Sequence, residues 1–347
     1  MKKVFAVTAA LALLSLGGIA QAITIDTVAV GNAGNTGELS GEGAGGYGED
    51  RICGSVGYNY NIGKYEVTAG QYTSFLNAVA ATDTYKLYNT EMQRTDLGSG
   101  ISRSVVSSNY TYSVATDFIN RPVNYVSYWD SIRFVNWLHN GQPTGLQSAL
   151  TTEDGAYTIS GYNGYDGRTI QRRADWKWAV TSEDEWYKAA YYNGGGTSAG
   201  YWDYPTSSNT APGQDMADAS GNNANIWTAP YAYPIDPDKF TTVVGEFQNS
   251  DSPYGTFDQG GNVWEWNEAM VFQDSGYAYR RVRGGSFRDG YYDYSSLQAS
   301  ARNSGSVPVS EYYHYGFRVV QAVPEPSSII ALLGGLTGLI VLRRRRA

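Results

Sequence analysis

A single cysteine, Cys53, stands in a chain of 347 residues. One thiol closes no intramolecular disulfide, and it builds neither a zinc site of two cysteines and two histidines nor one of four cysteines. The two histidines, His139 and His314, cannot furnish a three-histidine metal centre. The fold must therefore rest on packing and on oxygen and nitrogen chemistry. Its material suits that: 42% of residues are hydrophobic and 17% are charged, enough for a sizeable core and unlike a disordered chain. The length allows one large domain or two small ones.

Both ends read as addresses. Lys2 and Lys3 precede an apolar run from Val4 to Ile19, and Ala20-Gln21-Ala22 forms a small-x-small cleavage site. Residues 1–22 are thus expected to be a signal peptide removed by signal peptidase, with an uncleaved membrane anchor as the other reading. In residues 321–347, Val323-Pro324-Glu325-Pro326 is followed by an apolar stretch, Ser327 to Leu342, and then by Arg343 to Arg346. That stretch holds 16 residues, short of the roughly 20 that a full span needs. The arginines would keep their end cytoplasmic. This order resembles the PEP-CTERM sorting signal of Gram-negative bacteria. The resemblance implies transient anchoring by a short transmembrane helix, cleavage by an exosortase, and release to the cell surface or extracellular matrix. An ordinary tail anchor is the alternative.

Setting aside Lys2, Lys3 and the four terminal arginines leaves 19 of the 25 Lys+Arg, and setting aside Glu325 leaves 32 of the 33 Asp+Glu, a balance of −13. Such a charge argues against nucleic acid as a partner. It suits an exported protein that holds hard cations on oxygen ligands.

Between the ends, residues 23–54 are Gly-rich and read as a strand from Ile23 to Val30 followed by a loop. From Ser55 to Lys64, Tyr58, Tyr60 and Ile62 alternate as on a strand with one apolar face. Three helices are legible. The first starts after Thr68 and carries Tyr72, Phe75, Leu76 and Val79 on one face. A second is capped by Ser127 with Asp130 three residues on, presents Phe134, Val135 and Leu138, and stops at Gly141. The third opens on Ser182 and Glu185, a capping-box pair, with Trp186, Ala189 and Ala190 facing inward. His139 falls at the end of the second helix and reads as a cation beside its dipole. Elsewhere short aromatic segments alternate with Gly, Asn, Asp and Pro. The expectation is one loop-rich α+β domain over 55–320, without internal repeats.

Six ordered motifs sharpen this reading. They are Ile62-Gly63-Lys64-Tyr65-Glu66-Val67-Thr68, Pro122-Val123-Asn124-Tyr125-Val126-Ser127, Ser182-Glu183-Asp184-Glu185-Trp186, Gly261-Asn262-Val263-Trp264-Glu265-Trp266, Arg283-Gly284-Gly285-Ser286-Phe287 and Gly316-Phe317-Arg318-Val319. In this order they resemble the formylglycine-generating enzyme (sulfatase-modifying factor) family. The resemblance implies a modified C-type-lectin-like fold with little regular structure. Most of these residues also have a packing role: the tryptophans as buried anchors, the glycines as tight turns, Arg318 as a bridge between loops and carboxylates.

The same resemblance implies structural Ca2+. One site falls on Asn225, Ile226, Asp238 and Phe240. A second falls on Asp258, Gly261, Val263 and Glu265, where Gly261 and Val263 would act through carbonyl oxygens. The plainer alternative is that these carboxylates only bond loop amides. The family's oxidase converts a substrate cysteine to formylglycine with two cysteines that bind Cu(I) as thiolates. Here those positions hold Asp289 and Tyr294, with Trp264 and Ser286 at matching pocket positions. No copper is therefore expected. A second branch of the family uses clustered histidines for non-haem iron, and this chain has no such cluster.

Two functional readings follow. In the first, the protein is an exported non-oxidase binding or structural module. Its ligand surface would be Tyr291, Tyr292, Tyr294, Tyr312 and Tyr313, because Tyr interleaved with small polar residues is paratope-like. The stretch also resembles the ligand-facing end of C-type-lectin-like proteins diversified by retroelements. An unidentified glycan, peptide or matrix component would be the partner. With 30 tyrosines in the chain, loop packing is the competing account. In the second reading, a divergent enzyme uses other ligands, with Asp289, Asp293 and Glu311 as candidates.

Overall fold

The structure is a computed structural model. It describes residues 22–194, 199–227, 235–272, 277–289, 294–302 and 305–324. The expected signal peptide, apart from Ala22, and the expected apolar C-terminal stretch with its arginines lie outside them. Among the described residues no helix is long and apolar enough to cross a membrane.

In chain order the elements are β1 (Thr27–Val30), β2 (Glu38–Ser40), β3 (Arg51–Cys53), β4 (Tyr60–Gly63), α1 (Ala69–Val79), β5 (Ile101–Val106), β6 (Asn109–Val114), α2 (Tyr128–His139), β7 (Trp178–Val180), α3 (Glu183–Tyr191), β8 (Trp264–Phe272), β9 (Ala278–Arg283), β10 (Tyr315–Phe317) and β11 (Val319–Ala322). Four strands form an antiparallel sheet in the order β1-β4-β11-β7. Because β11 lies between β4 and β7, a strand late in the sequence is sealed against early ones. A second sheet runs β10-β8-β9, with β10 parallel and β9 antiparallel to β8. Mixed helix and sheet in a single loop-rich domain is the class expected from the sequence.

The three helices start where their caps require. Thr68 accepts from Gln71 N–H, and the Gln71 side chain closes a capping box; Ser127 with Asp130 and Ser182 with Glu185 repeat it. Each box satisfies two N–H groups that a helix end otherwise leaves open. On α1, Tyr72, Phe75, Leu76 and Val79 are fully buried. They meet α2 through Phe134, whose ring lies 5.3 Å from Phe75 and 5.4 Å from Phe317 of β10. The strand alternation holds for Tyr60 and Ile62, both fully buried in β4, whereas Tyr58 precedes the strand. The N-terminal strand is shorter than expected, Thr27–Val30.

Two local readings change. The longest strand, the nine-residue β8, is not foreseen by a pattern of short broken segments. His139 is not a cation at a helix end: its Nδ1 accepts the Lys177 N–H at 3.1 Å, and burial lowers its pKa. Cys53 is buried on β3, its sulfur 3.6 Å from both Arg51 and Arg283.

Candidate functional site

The first residue of β8 and the turn after β9 build the site. Gly284 (φ 98°) and Gly285 (φ 72°) reverse the chain, and a Cβ on Gly284 would approach the Gln259 carbonyl to 2.7 Å. Only glycine meets both demands at low cost. The turn delivers Ser286, and Asp289 N–H closes back on the Ser286 carbonyl at 2.9 Å. Trp264 is fixed by its own N–H on the His314 carbonyl at 2.8 Å.

These placements converge on one oxygen. Asp289 Oδ2 accepts the Trp264 indole N–H at 2.9 Å, the Ser286 N–H at 3.0 Å and the Ser286 hydroxyl at 2.6 Å. Burial pushes the Asp289 carboxyl up, while these three donors pull it down. The position that the resemblance assigns to one copper thiolate thus carries a caged hard oxygen. Tyr294 begins a short 3-10 helix, Tyr294–Leu297, and its side chain lies outside the described residues.

Beside this cage lies an aromatic group. The His314 ring sits 5.7, 4.6 and 4.8 Å from the rings of Tyr312, Tyr313 and Tyr315. Burial first, and then Arg288, hold the His314 pKa down at about 4. Tyr312 is 47% exposed. The Tyr313 hydroxyl accepts from Arg288, whose guanidinium carbon is 5.7 Å from the ring centre. Tyr291, Tyr292 and Asp293 lie outside the described residues. Glu311 is elsewhere: it accepts from Asn89 and raises the buried Asp130.

Both suggested calcium sets are brought close to one another. In the first, Asn225 Nδ2 donates to the Phe240 carbonyl at 2.9 Å, and Asn225 Oδ1 is buried without a partner among the described residues. Ile226 is its buried neighbour, while Asp238 is exposed. In the second, Asp258 Oδ2 takes the Gly245 N–H at 2.6 Å. Gly261 N–H bonds the Gly284 carbonyl, and Asn262 N–H bonds the Asn225 carbonyl, each at 2.9 Å. Val263 N–H goes to Glu66 at 3.2 Å. Glu265 is already occupied: both its oxygens face Arg318, at 2.7 to 3.0 Å, and Oε2 also accepts the Trp186 indole at 2.7 Å.

That second set holds an unbalanced charge. Glu66 and Glu265, both buried, and the half-buried Asp258 surround one guanidinium, Arg318. Burial, with Asp258 and Glu265 as neighbours, drives Glu66 well above the usual carboxylate range, and burial raises Asp258 to about 6. Glu66 lies in the first of the ordered motifs, yet nothing in its spacing announces a role. The same holds for Glu183, which receives Arg283 at 2.8 Å, Arg302 at 3.0 Å and Arg51 at 3.1 Å. Among the described residues, no three or more of His, Cys, Asp and Glu surround a common metal position. Amide and backbone oxygens would therefore have to complete any ion site.

A domain with three capped helices, in which β11 pairs between β4 and β7 and an Arg-Gly-Gly-Ser turn faces a buried Trp-Glu-Trp strand, defines a class. Residues 54–323 match the model for the sulfatase-modifying factor enzyme 1-like domain. The chain belongs to that family. No curated protein matches the sequence. Among solved structures, that of CarF shares the fold, with a TM-score of 0.50 and 20% identity over 87% of this chain and 99% of that one. Treponema denticola variable protein 1 (0.49, 17% identity, 85% and 94% covered) and PvdO from Pseudomonas aeruginosa (0.46, 19%, 86% and 94%) are further structural neighbours.

Proposed function

We propose that this chain is a non-oxidase member of its family, exported and held at the cell surface or in the extracellular matrix, where it acts as a ligand-binding or structural module. The observation that carries the first part is the Asp289 cage. Cu(I) is soft and needs thiolates. An aspartate offers no soft donor, and its Oδ2 is already claimed by Trp264 and Ser286. Export rests on the sequence of the two terminal segments. The binding part rests on Tyr312, Tyr313 and Tyr315 around His314 beside the cage, in a stretch whose sequence resembles the ligand-facing end of C-type-lectin-like proteins, with a glycan, peptide or matrix component as partner.

Calcium belongs to this reading as a structural ion. The unpartnered Asn225 Oδ1, beside the Phe240 carbonyl, fits the first site, with Asp238 as its exposed carboxylate. In the second, the surplus of carboxylates around one guanidinium fits a cation at Asp258 with the Gly261 and Val263 carbonyls; Glu265 would have to share itself with Arg318. Bound there, the ion would supply only charge balance and loop closure.

The deciding experiment measures Cu(I) uptake from a chromophoric chelator and conversion of a sulfatase-type cysteine peptide, with the D289C/Y294C variant alongside. The wild type should bind no stoichiometric Cu(I) and convert nothing, while a glycan and peptide array yields a ligand lost in Tyr312→Ala. Stoichiometric copper or peptide conversion by the wild type would restore the oxidase reading. A divergent enzyme acting through Asp289 is the second reading, favoured only by the hydroxyl of Ser286 against that carboxylate.

A further inference from the structure

Among the described residues, the chain takes hold of the domain at Ile23. Its N–H donates to Gln142 Oε1 at 2.7 Å, and its carbonyl accepts from Gln142 Nε2 at 2.9 Å. The Thr24 carbonyl then accepts from the Gln71 side chain at 3.0 Å, and the Asp26 carbonyl from the Lys64 N–H at 2.8 Å. Ile23 and Ile25 are half-buried against the main core, whereas Thr24 and Asp26 are exposed. Ala22, one residue earlier, is exposed and has no hydrogen bond among the described residues.

Gln142 is held in place for this contact. α2 ends in a Schellman turn: Gly141 (φ 82°) returns its N–H to the Leu138 carbonyl at 3.1 Å, and Gln142 (φ 60°) returns its own to the Trp137 carbonyl at 2.9 Å. The Trp137 indole N–H donates to the Pro143 carbonyl at 2.9 Å, which fixes the far side. A residue other than glycine keeps such a backbone angle where its surroundings impose it. The amide of Gln142, with one acceptor and one donor, matches both backbone groups of a single residue.

Ile23 is also the residue that follows the Ala20-Gln21-Ala22 cleavage signal. Hydrolysis of the Ala22–Ile23 bond adds water across it, leaves a carboxylate on Ala22 and frees the Ile23 amine, which is mostly protonated at neutral pH. The nitrogen that Gln142 Oε1 already binds would then be an ammonium. It stands beside the turn that ends α2, where the helix dipole favours a cation. The side chains there do not oppose it. His139, in the last turn, feels Lys177, Asp175, Arg173 and Asp154, two charges of each sign, and burial keeps His139 itself from becoming a competing cation.

We propose that Gln142 and the end of α2 form a binding site for the α-ammonium of this chain's own processed amino terminus, so that removal of the leader completes the fold. The inference rests on reading residues 1–22 as an export signal.

The test has two arms. Full-length protein exported from a Gram-negative host should begin at Ile23 by N-terminal sequencing. Separately, chains running from Ile23 and from Ala22 to Ala347 are freed from a cytoplasmic fusion by a protease that leaves no extra residue. They differ in whether the Ile23 nitrogen is an ammonium or an amide. The chain from Ile23 should melt about 1–3 °C higher. Gln142→Glu should widen that gap, because a carboxylate pairs with an ammonium and not with an amide, and Gln142→Ala should narrow it. An exported chain still starting at Met1 overturns the export reading and this inference with it. Cleavage at another bond, equal melting of the two chains, or a gap that neither Gln142 variant changes overturns the inference alone.

Discussion

The carboxylate of Asp289 holds the indole N–H of Trp264 at 2.9 Å. By the sequence resemblance, Asp289 falls where the family's oxidase has one of its thiols, and Trp264 at a matching pocket position. The bond locks the turn after β9 to the start of β8.

Removing that bond should be felt in stability. Asp289→Ala strands the buried Trp264 N–H and the Ser286 hydroxyl, and should cost about 1–3 kcal/mol in urea unfolding. Asp289→Asn keeps acceptor and shape and should cost less. Equal losses would mean that the charge, rather than the acceptor, matters there.

Arg318 ties Glu265 on β8 to the carbonyls of Gly63, Lys64 and Phe257. Arg318→Met leaves a buried cluster of carboxylates with no guanidinium, and should destabilise by about 3–5 kcal/mol. A melting curve indistinguishable from that of the wild type would contradict the charge argument.

Acid stability should be set partly by Glu183. Burial alone would raise it, but Arg283 and Arg302 together hold it down at about 2. A depressed carboxylate contributes stability that is complete above its unfolded value, near 4.5, and is lost as pH falls through about 2. For this single group the loss is on the order of 3 kcal/mol. Glu183→Gln should flatten the stability curve across that window.

Asp258 should act in the opposite sense. Its folded pKa of about 6 lies above its usual 3.8, so the calcium-free fold binds an extra proton in that window. Its contribution is present below about pH 4 and is lost as pH rises through about 6. With EDTA the domain should therefore melt higher at about pH 5 than at about pH 7, by an amount that shrinks in Asp258→Asn. Millimolar Ca2+ should raise the melting temperature at neutral pH and reverse the trend. No shift with either chelator or calcium would refute the ion.

Local rules were legible in the sequence because they act over a few residues. The caps at Thr68, Ser127 and Ser182 and the face of Tyr72, Phe75, Leu76 and Val79 follow from spacing alone. The ordered motifs pointed to the family, and Asp289 and Tyr294 are where the resemblance sets an expected departure from its oxidase chemistry. What spacing does not carry is pairing between distant segments. Nothing in the chain announces that β11 slots between β4 and β7, or that Glu183 collects arginines from β3, β9 and the loop after it. Nor does the sequence tell that Asp289 is caged. Those facts arise when elements far apart in sequence are buried together. There each polar group must find a partner or keep its desolvation cost, and only the packed fold decides which.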